Sequence, residues 1–303
     1  MIYNFGSAIM RSIGDTKLPF YSLLVATVCN FVLDWLFVAV FDFGVDGVAW
    51  ATVISNGVNA AIIVYFLTRE PEPVTLHLGH WGLHGSDFRK MLRIGIPAGL
   101  QGMVFSISNI FIQSAINKFG SDAIAGSAAA LTYEVYCYYI IAGFCAATIA
   151  FTGQNYGAGN VGRCRKVVRI CMTYSVVLCG VANLLIVWQG TACLGVFSSD
   201  PEVVKYGLMR FHTVLMLQCM ASSYEVSGSY MRALGYSMTP MVLTIFGTCV
   251  LRLMWIYTYA AWHPSFDVLM SIYPITWTIT GMMVITAALI VQRRAFRKLQ
   301  PVS

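Results

Sequence analysis

The sequence predicts an all-α polytopic membrane protein with eight transmembrane helices and a partial helix at its N-terminus. Three observations carry this. Charged residues are 11% of the chain, against roughly 25% in soluble domains. Apolar residues are 58% and the mean hydropathy is +0.70, more apolar surface than a soluble protein of this size can hide. The apolar residues also form continuous windows of about 20 residues or more, each enough to cross roughly 30 Å of hydrocarbon. Barrel strands would alternate polar and apolar over about ten residues, and these windows do not.

In chain order the spans are 19–40, 46–68, 92–117, 122–150, 166–189, 203–230, 238–262 and 268–292. Spans 92–117 and 122–150 are long enough to tilt, bend or break. Residues 1–10 are too short to cross and read as the tail of a truncated span; they lack the charged start and cleavage site of a signal peptide. Pro97 near the start of its span is tolerable, whereas Pro274 inside the last span is expected to kink it.

A ten-residue phrase occurs twice. Residues 10–19 read MRSIGDTKLP and residues 231–240 read MRALGYSMTP. At an offset of 221, Met10, Arg11, Gly14 and Pro19 fall on Met231, Arg232, Gly235 and Pro240. Tyr3 and Thr27 fall on Tyr224 and Thr248. Duplicated halves in a membrane chain point to a transporter. The second copy follows a long hydrophobic stretch and the first does not, so the first half reads as incomplete. The boundaries expected are a first-lobe remnant at 1–70, a cytoplasmic interlobe loop at 71–91, a six-helix second lobe at 92–292 and a cytoplasmic tail at 293–303.

The net charge of +6 is not a nucleic-acid signal, because of where the charges lie. Fifteen of the nineteen Lys and Arg fall on one side of the spans, including Arg69, Arg89, Arg163, Arg165, Arg293 and Arg297. Lys118 and Lys205 fall on the other side, and Arg210 and Arg252 lie within spans. This bias places the C-terminus in the cytoplasm. The nine Cys are scattered without a C-x-x-C pair and read as small packing residues. His77, His80 and His84 lie in a loop without Cys or clustered acids, and no metal site is expected there.

Ionisable groups inside spans are functional candidates by default. Asn30 and Asp34 in CNFVLDW are spaced i, i+4 and share one helical face. Asp34 and Thr52 each lie about 13 Å from the intervening turn at the helical rise, so antiparallel neighbours hold them at similar depth. A carboxylate, an amide and a hydroxyl suit a hard cation such as sodium, and an Asp that gains and loses a proton suits proton coupling. Gln101, Asn109 and Gln113 are candidates for a polar cavity wall, or for interhelical hydrogen bonds. Glu134 lies among Tyr133, Tyr136, Tyr138 and Tyr139, where an acid and aromatic faces suit an organic cation. Its structural alternative is a Glu satisfied by a Tyr or by Arg252. Glu225 and Arg232 are seven apart and read as a salt link. Arg252 reads as a lobe-packing cation.

The repeated phrase resembles the R-x-x-G-D-T…P signature of the multidrug and toxic compound extrusion (MATE) family. Other phrases are similar to the family in the same order: FGVDGVAWATVISN (43–56), GIPAGLQGMVFSISN (95–109), FTGQNYGAGN (151–160) and FSSDPEVV (197–204). The resemblance implies two lobes, the first incomplete here, around a central cavity. It implies export of organic, often cationic, compounds by alternating access against entry of protons or sodium, with no cofactor. It also implies that Asn30, Asp34 and Thr52 match a first-lobe cation site, whose remaining Asp would precede Met1. A Glu that some members carry early in the seventh helix has no counterpart in 92–117. The implied partners are small organic substrates and membrane lipid, not nucleic acid. The implied setting is the plasma (inner) membrane, as a monomer when full length. A lipid or lipid-linked-sugar flippase of related fold, or an inactive exporter fragment, are the alternatives. A membrane-embedded enzyme is disfavoured because no nucleophile or metal motif is present.

Overall fold

In the computed structural model, residues 1–299 are described except 73, 78, 80, 81, 83 and 84. Among the described residues the secondary structure is helical and no strand occurs. The chain divides into two compact units, Met1–His84 and Gly85–Ser303.

The first unit holds α1 (Ile2–Ser12), α2 (Lys17–Trp35) and α3 (Gly44–Leu67). Helix α2 ends in a π-helical turn over Leu36–Val40. Helix α1 is 11 residues long, too short to span. Its Met10 packs with Ile63 and Leu67 of α3, and Gly6 lets the two backbones approach. Between α2 and α3, buried Ser22 Oγ donates to Asn59 Oδ1 at 2.6 Å. Such a bond satisfies both polar groups where lipid offers no partner.

The second unit runs α4 (Gly85–Ile116), α5 (Ser121–Gly157), α6 (Val161–Trp188), a short α7 (Gly190–Gly195), α8 (Pro201–Thr213) and α9 (Ser222–Ala233). It continues with α10 (Met238–Ile245), a π-helical turn (Phe246–Val250), α11 (Leu251–Tyr257), the short α12 (Tyr259–Trp262) and α13 (Phe266–Met270), and α14 (Ile272–Arg297). Small residues let the helices close up. A Cβ on Gly126 of α5 would strike the Val203 carbonyl oxygen of α8, and one on Gly247 would strike Thr280 of α14. All nine cysteines are free thiols, five of them buried.

Among the described residues, seven helical segments are long and apolar enough to cross a membrane. The stretch 203–230, expected as an eighth, is not one continuous α-helix. It narrows to a 3-10 segment over Leu215–Ala221 between α8 and α9, so neither piece is long enough alone. The two prolines exchange roles. Helix α4 begins at Gly85, which puts Pro97 in its interior. The last span breaks at Ser271, which puts Pro274 in the first turn of α14, where a missing N–H costs nothing.

The repeated phrase makes the same turn twice. Gly14 has φ +97° and Gly235 φ +86°, the left-handed region that favours glycine. At the first, Gly14 N donates to Arg11 O and Asp15 N to Met10 O, both at 3.1 Å. At the second, Gly235 N donates to Arg232 O at 3.0 Å and Tyr236 N to Met231 O at 2.9 Å. Both are Schellman-type helix ends, and both methionines are fully buried.

Candidate functional site

On α2, Asn30 and Asp34 occupy the last two turns before the π-helical stretch. Asn30 Nδ2 and Asp34 Oδ1 are buried and have no hydrogen-bond partner. Buried polar atoms in helices are normally satisfied, and two orphans on one face within a span are a candidate site. Thr52 is less closely engaged. It is exposed, and its Oγ1 donates to Val48 O within α3 at 2.9 Å; no hydrogen bond joins it to Asp34.

In the second unit a cavity of about 250 Å³ opens between helices. Asn109, Gln113, Glu134 and Arg252 line it together, as do Arg210, Gln218 and Trp277. Its main ionic feature differs from expectation. Glu134 is not held by Arg252 or by a tyrosine; its carboxylate is gripped by Arg210, Nε to Oε1 at 2.6 Å and Nη2 to Oε2 at 2.9 Å. Both side chains are buried. Gln218 Nε2 donates to the Glu134 backbone oxygen at 2.8 Å. This two-point geometry is the strong form of an arginine–carboxylate contact. In the sequence Arg210 is one of two cations inside spans, and the rule that intramembrane charges pair with each other admits either of them.

Arg252 is fully buried. Its Nε reaches Thr276 Oγ1 at 3.5 Å, while Nη1 and Nη2 have no partner. The guanidinium lies 4.5 Å from the Tyr273 ring centre and 5.4 Å from that of Phe105.

The remaining candidates lie elsewhere. Tyr136 and Tyr139 are 62% and 65% exposed and do not line this cavity. Gln101 lines a second cavity of about 280 Å³ with Glu225 and Arg232. The expected Glu225–Arg232 salt link does not form. Seven residues rise about 10.5 Å along a helix, and each side chain finds a nearer partner. Arg232 donates to Ser229 Oγ at 3.0 Å and to Gln101 Oε1 at 3.4 Å, and Glu225 accepts from the Tyr138 hydroxyl at 3.3 Å. His77 Nε2 sits 2.7 Å from Glu72 Oε1 at the surface, and His80 and His84 lie outside the described residues.

A family model described as MatE matches residues 97–258. The chain is 27% identical over 262 residues to the probable multidrug resistance protein YpnP of Bacillus subtilis, covering 86% of this chain and 58% of that protein. It therefore spans little more than half the length of that curated relative. In fold it is similar to the Vibrio cholerae MATE transporter VcmN in its bent form, with a TM-score of 0.82 at 22% identity, over 98% of this chain and 66% of that one. It is similar also to a multidrug resistance MATE family transporter in an outward-facing conformation, with a TM-score of 0.85 at 20% identity and the same coverage. The family model reaches from Pro97 in α4 across the Glu134–Arg210 cavity to the end of α11, more than half of the sequence, and the chain belongs to the MatE family of membrane transporters.

Proposed function

We propose that a protein containing this chain exports small organic compounds by alternating access, driven by entry of protons or sodium. The observation that carries the reading is the pair of orphaned polar atoms, Asn30 Nδ2 and Asp34 Oδ1, on one face of a membrane-spanning helix. An ion coordinated by the Asp34 carboxylate, with the Asn30 amide turned to present its oxygen, would satisfy both groups at once. Thr52 joins the set on rotation of its hydroxyl away from Val48. Protonation of Asp34 is the other way to remove its charge. Either event favours one arrangement of the transporter over another only through differential binding.

Organic cations remain the proposed cargo on the strength of Asp34 and the drug-resistance names of the relatives. Glu134 lends this no support, because Arg210 already neutralises it. Gln101, Asn109 and Gln113 act as polar wall residues in this scheme, and exposed Tyr136 and Tyr139 as aromatic contacts. The proposed setting is the plasma membrane, with the C-terminus cytoplasmic, a monomeric protein and no cofactor. A flippase would favour a basic-lined cavity. The second unit's cavity has two Arg to one Glu, but its volume of about 250 Å³ is small for a lipid headgroup.

The test is dye efflux from proteoliposomes under an imposed sodium or proton gradient. Efflux should follow one gradient and vanish in Asp34→Asn. Undiminished efflux in that variant removes Asp34 from the mechanism.

A further inference from the structure

The cavity between α4, α5, α8, α11 and α14 contains more positive than negative charge. Two guanidinium groups, Arg210 and Arg252, face one carboxylate, Glu134. Arg210 and Glu134 satisfy each other through two hydrogen bonds. Arg252 has no such partner. Its Nη1 and Nη2 together present four N–H donors, neither nitrogen is hydrogen-bonded, and the residue is fully buried. The rings of Tyr273 and Phe105 soften its charge without accepting its protons. Gln218 Oε1, also unpartnered in this cavity, is a neutral acceptor and cannot balance a full charge. An unpaired guanidinium in a dry site is costly, and arginine does not escape the cost by losing its proton.

We propose that this cavity is an anion site, in which Arg252 binds one small monovalent anion through its Nη donors. The net charge of the lining sets the valence at one. The volume of about 250 Å³ admits a halide or a carboxylate group with a short stem. The amide of Asn109 supplies a further N–H donor on the wall, whereas Gln113 Nε2 already donates to Asn117 Oδ1 at 3.1 Å. Buried, apolar Ile112 and Ile116 shield one wall of the site, which strengthens the attraction. The anion comes either as a free inorganic ion or as the carboxylate of an organic cargo. This goes beyond the export reading, whose coupling residue Asp34 lies in the other unit.

Trp277 lines the cavity and reports on it. The purified chain in detergent would be titrated with sodium bromide against sodium gluconate at constant ionic strength, with tryptophan fluorescence as readout. Expected is a saturable quenching component at millimolar bromide, above the linear collisional background and lost in Trp277→Phe. Arg252→Gln should weaken it about tenfold or more. Should that variant fail to fold, the wild-type melting temperature decides. Bromide and chloride should raise it relative to gluconate at equal sodium, by linkage. Displacement of bromide by acetate as well as chloride would identify a site that accepts organic carboxylates. Displacement by chloride alone would identify an inorganic-ion site. Purely linear quenching with no halide-dependent rise in melting temperature overturns the proposal. So does a folded Arg252→Gln that keeps the saturable component. Neither result touches gradient-driven efflux.

Discussion

Arg210 holds Glu134 through two nitrogens at once, at 2.6 and 2.9 Å, with both side chains buried. Removing one partner leaves the other charge stranded. Glu134→Leu or Arg210→Met alone should lower stability by about 3–5 kcal/mol, measured by unfolding in mixed micelles. The double variant should recover most of the loss, because an apolar pair needs no partner. A double variant as unstable as the sum of the singles would show that the pair is not the interaction lost.

The left-handed turn at Gly235 has open space around it, so a methyl group there would meet nothing within 4 Å. Gly235→Ala should therefore cost backbone strain alone, about 1–2 kcal/mol in thermal or detergent unfolding. Gly235→Asn should cost less, since asparagine tolerates this region. Equal losses for the two would exclude strain as the cause.

Gly126 is different. Its φ is ordinary and its neighbours are not: the Val203 carbonyl oxygen and the Gly207 amide lie where a Cβ would go. Gly126→Ala should force α5 and α8 apart and cost about 1–3 kcal/mol through overpacking. The same change at Gly143, which has open space, should be neutral or slightly stabilising. Comparable melting temperatures for the two variants would show that the α5–α8 contact yields easily.

In the first unit, Ser22→Ala removes the 2.6 Å bond to Asn59 and leaves the Asn59 oxygen unpaired in a dry contact. Interhelical hydrogen bonds in membranes average about 0.6 kcal/mol, and a loss of that order in folding stability is expected. A loss below detection would mean that Asn59 finds a new partner.

Much of this architecture was legible in the amino-acid order, because lipid imposes a simple rule on it. Every spanning backbone must satisfy itself, so continuous apolar runs ending at Gly, Pro or charge mark helices directly. The repeat aligned Gly14 with Gly235, and both take the left-handed φ that glycine permits. The break at 215–221 was not. Nothing in TVLMLQCMAS (213–222) is a breaker, so the tightening to 3-10 geometry comes from packing and not from local preference. The partner of Glu134 was hidden for the same reason. Arg210 and Arg252 are chemically alike in the sequence, and only the register of α8 against α5 decides which one reaches the carboxylate. Asn30 and Asp34 were placed on one face by their spacing alone, whereas the rotamer that ties Thr52 to Val48 leaves no trace in spacing.

The two glycine turns close on their own carbonyls and ask nothing of the helices around them. The interior positions that follow at the same offset differ: Asn30 and Asp34 in one copy, Leu251 and Trp255 in the other. The ends of the helices and the chemistry between them are thus separable parts of one design. A chain built this way can exchange a polar pair for packing residues in one half without disturbing the turn that precedes it in either. The internal duplication serves as a built-in comparison, in which identical corners frame unlike rooms.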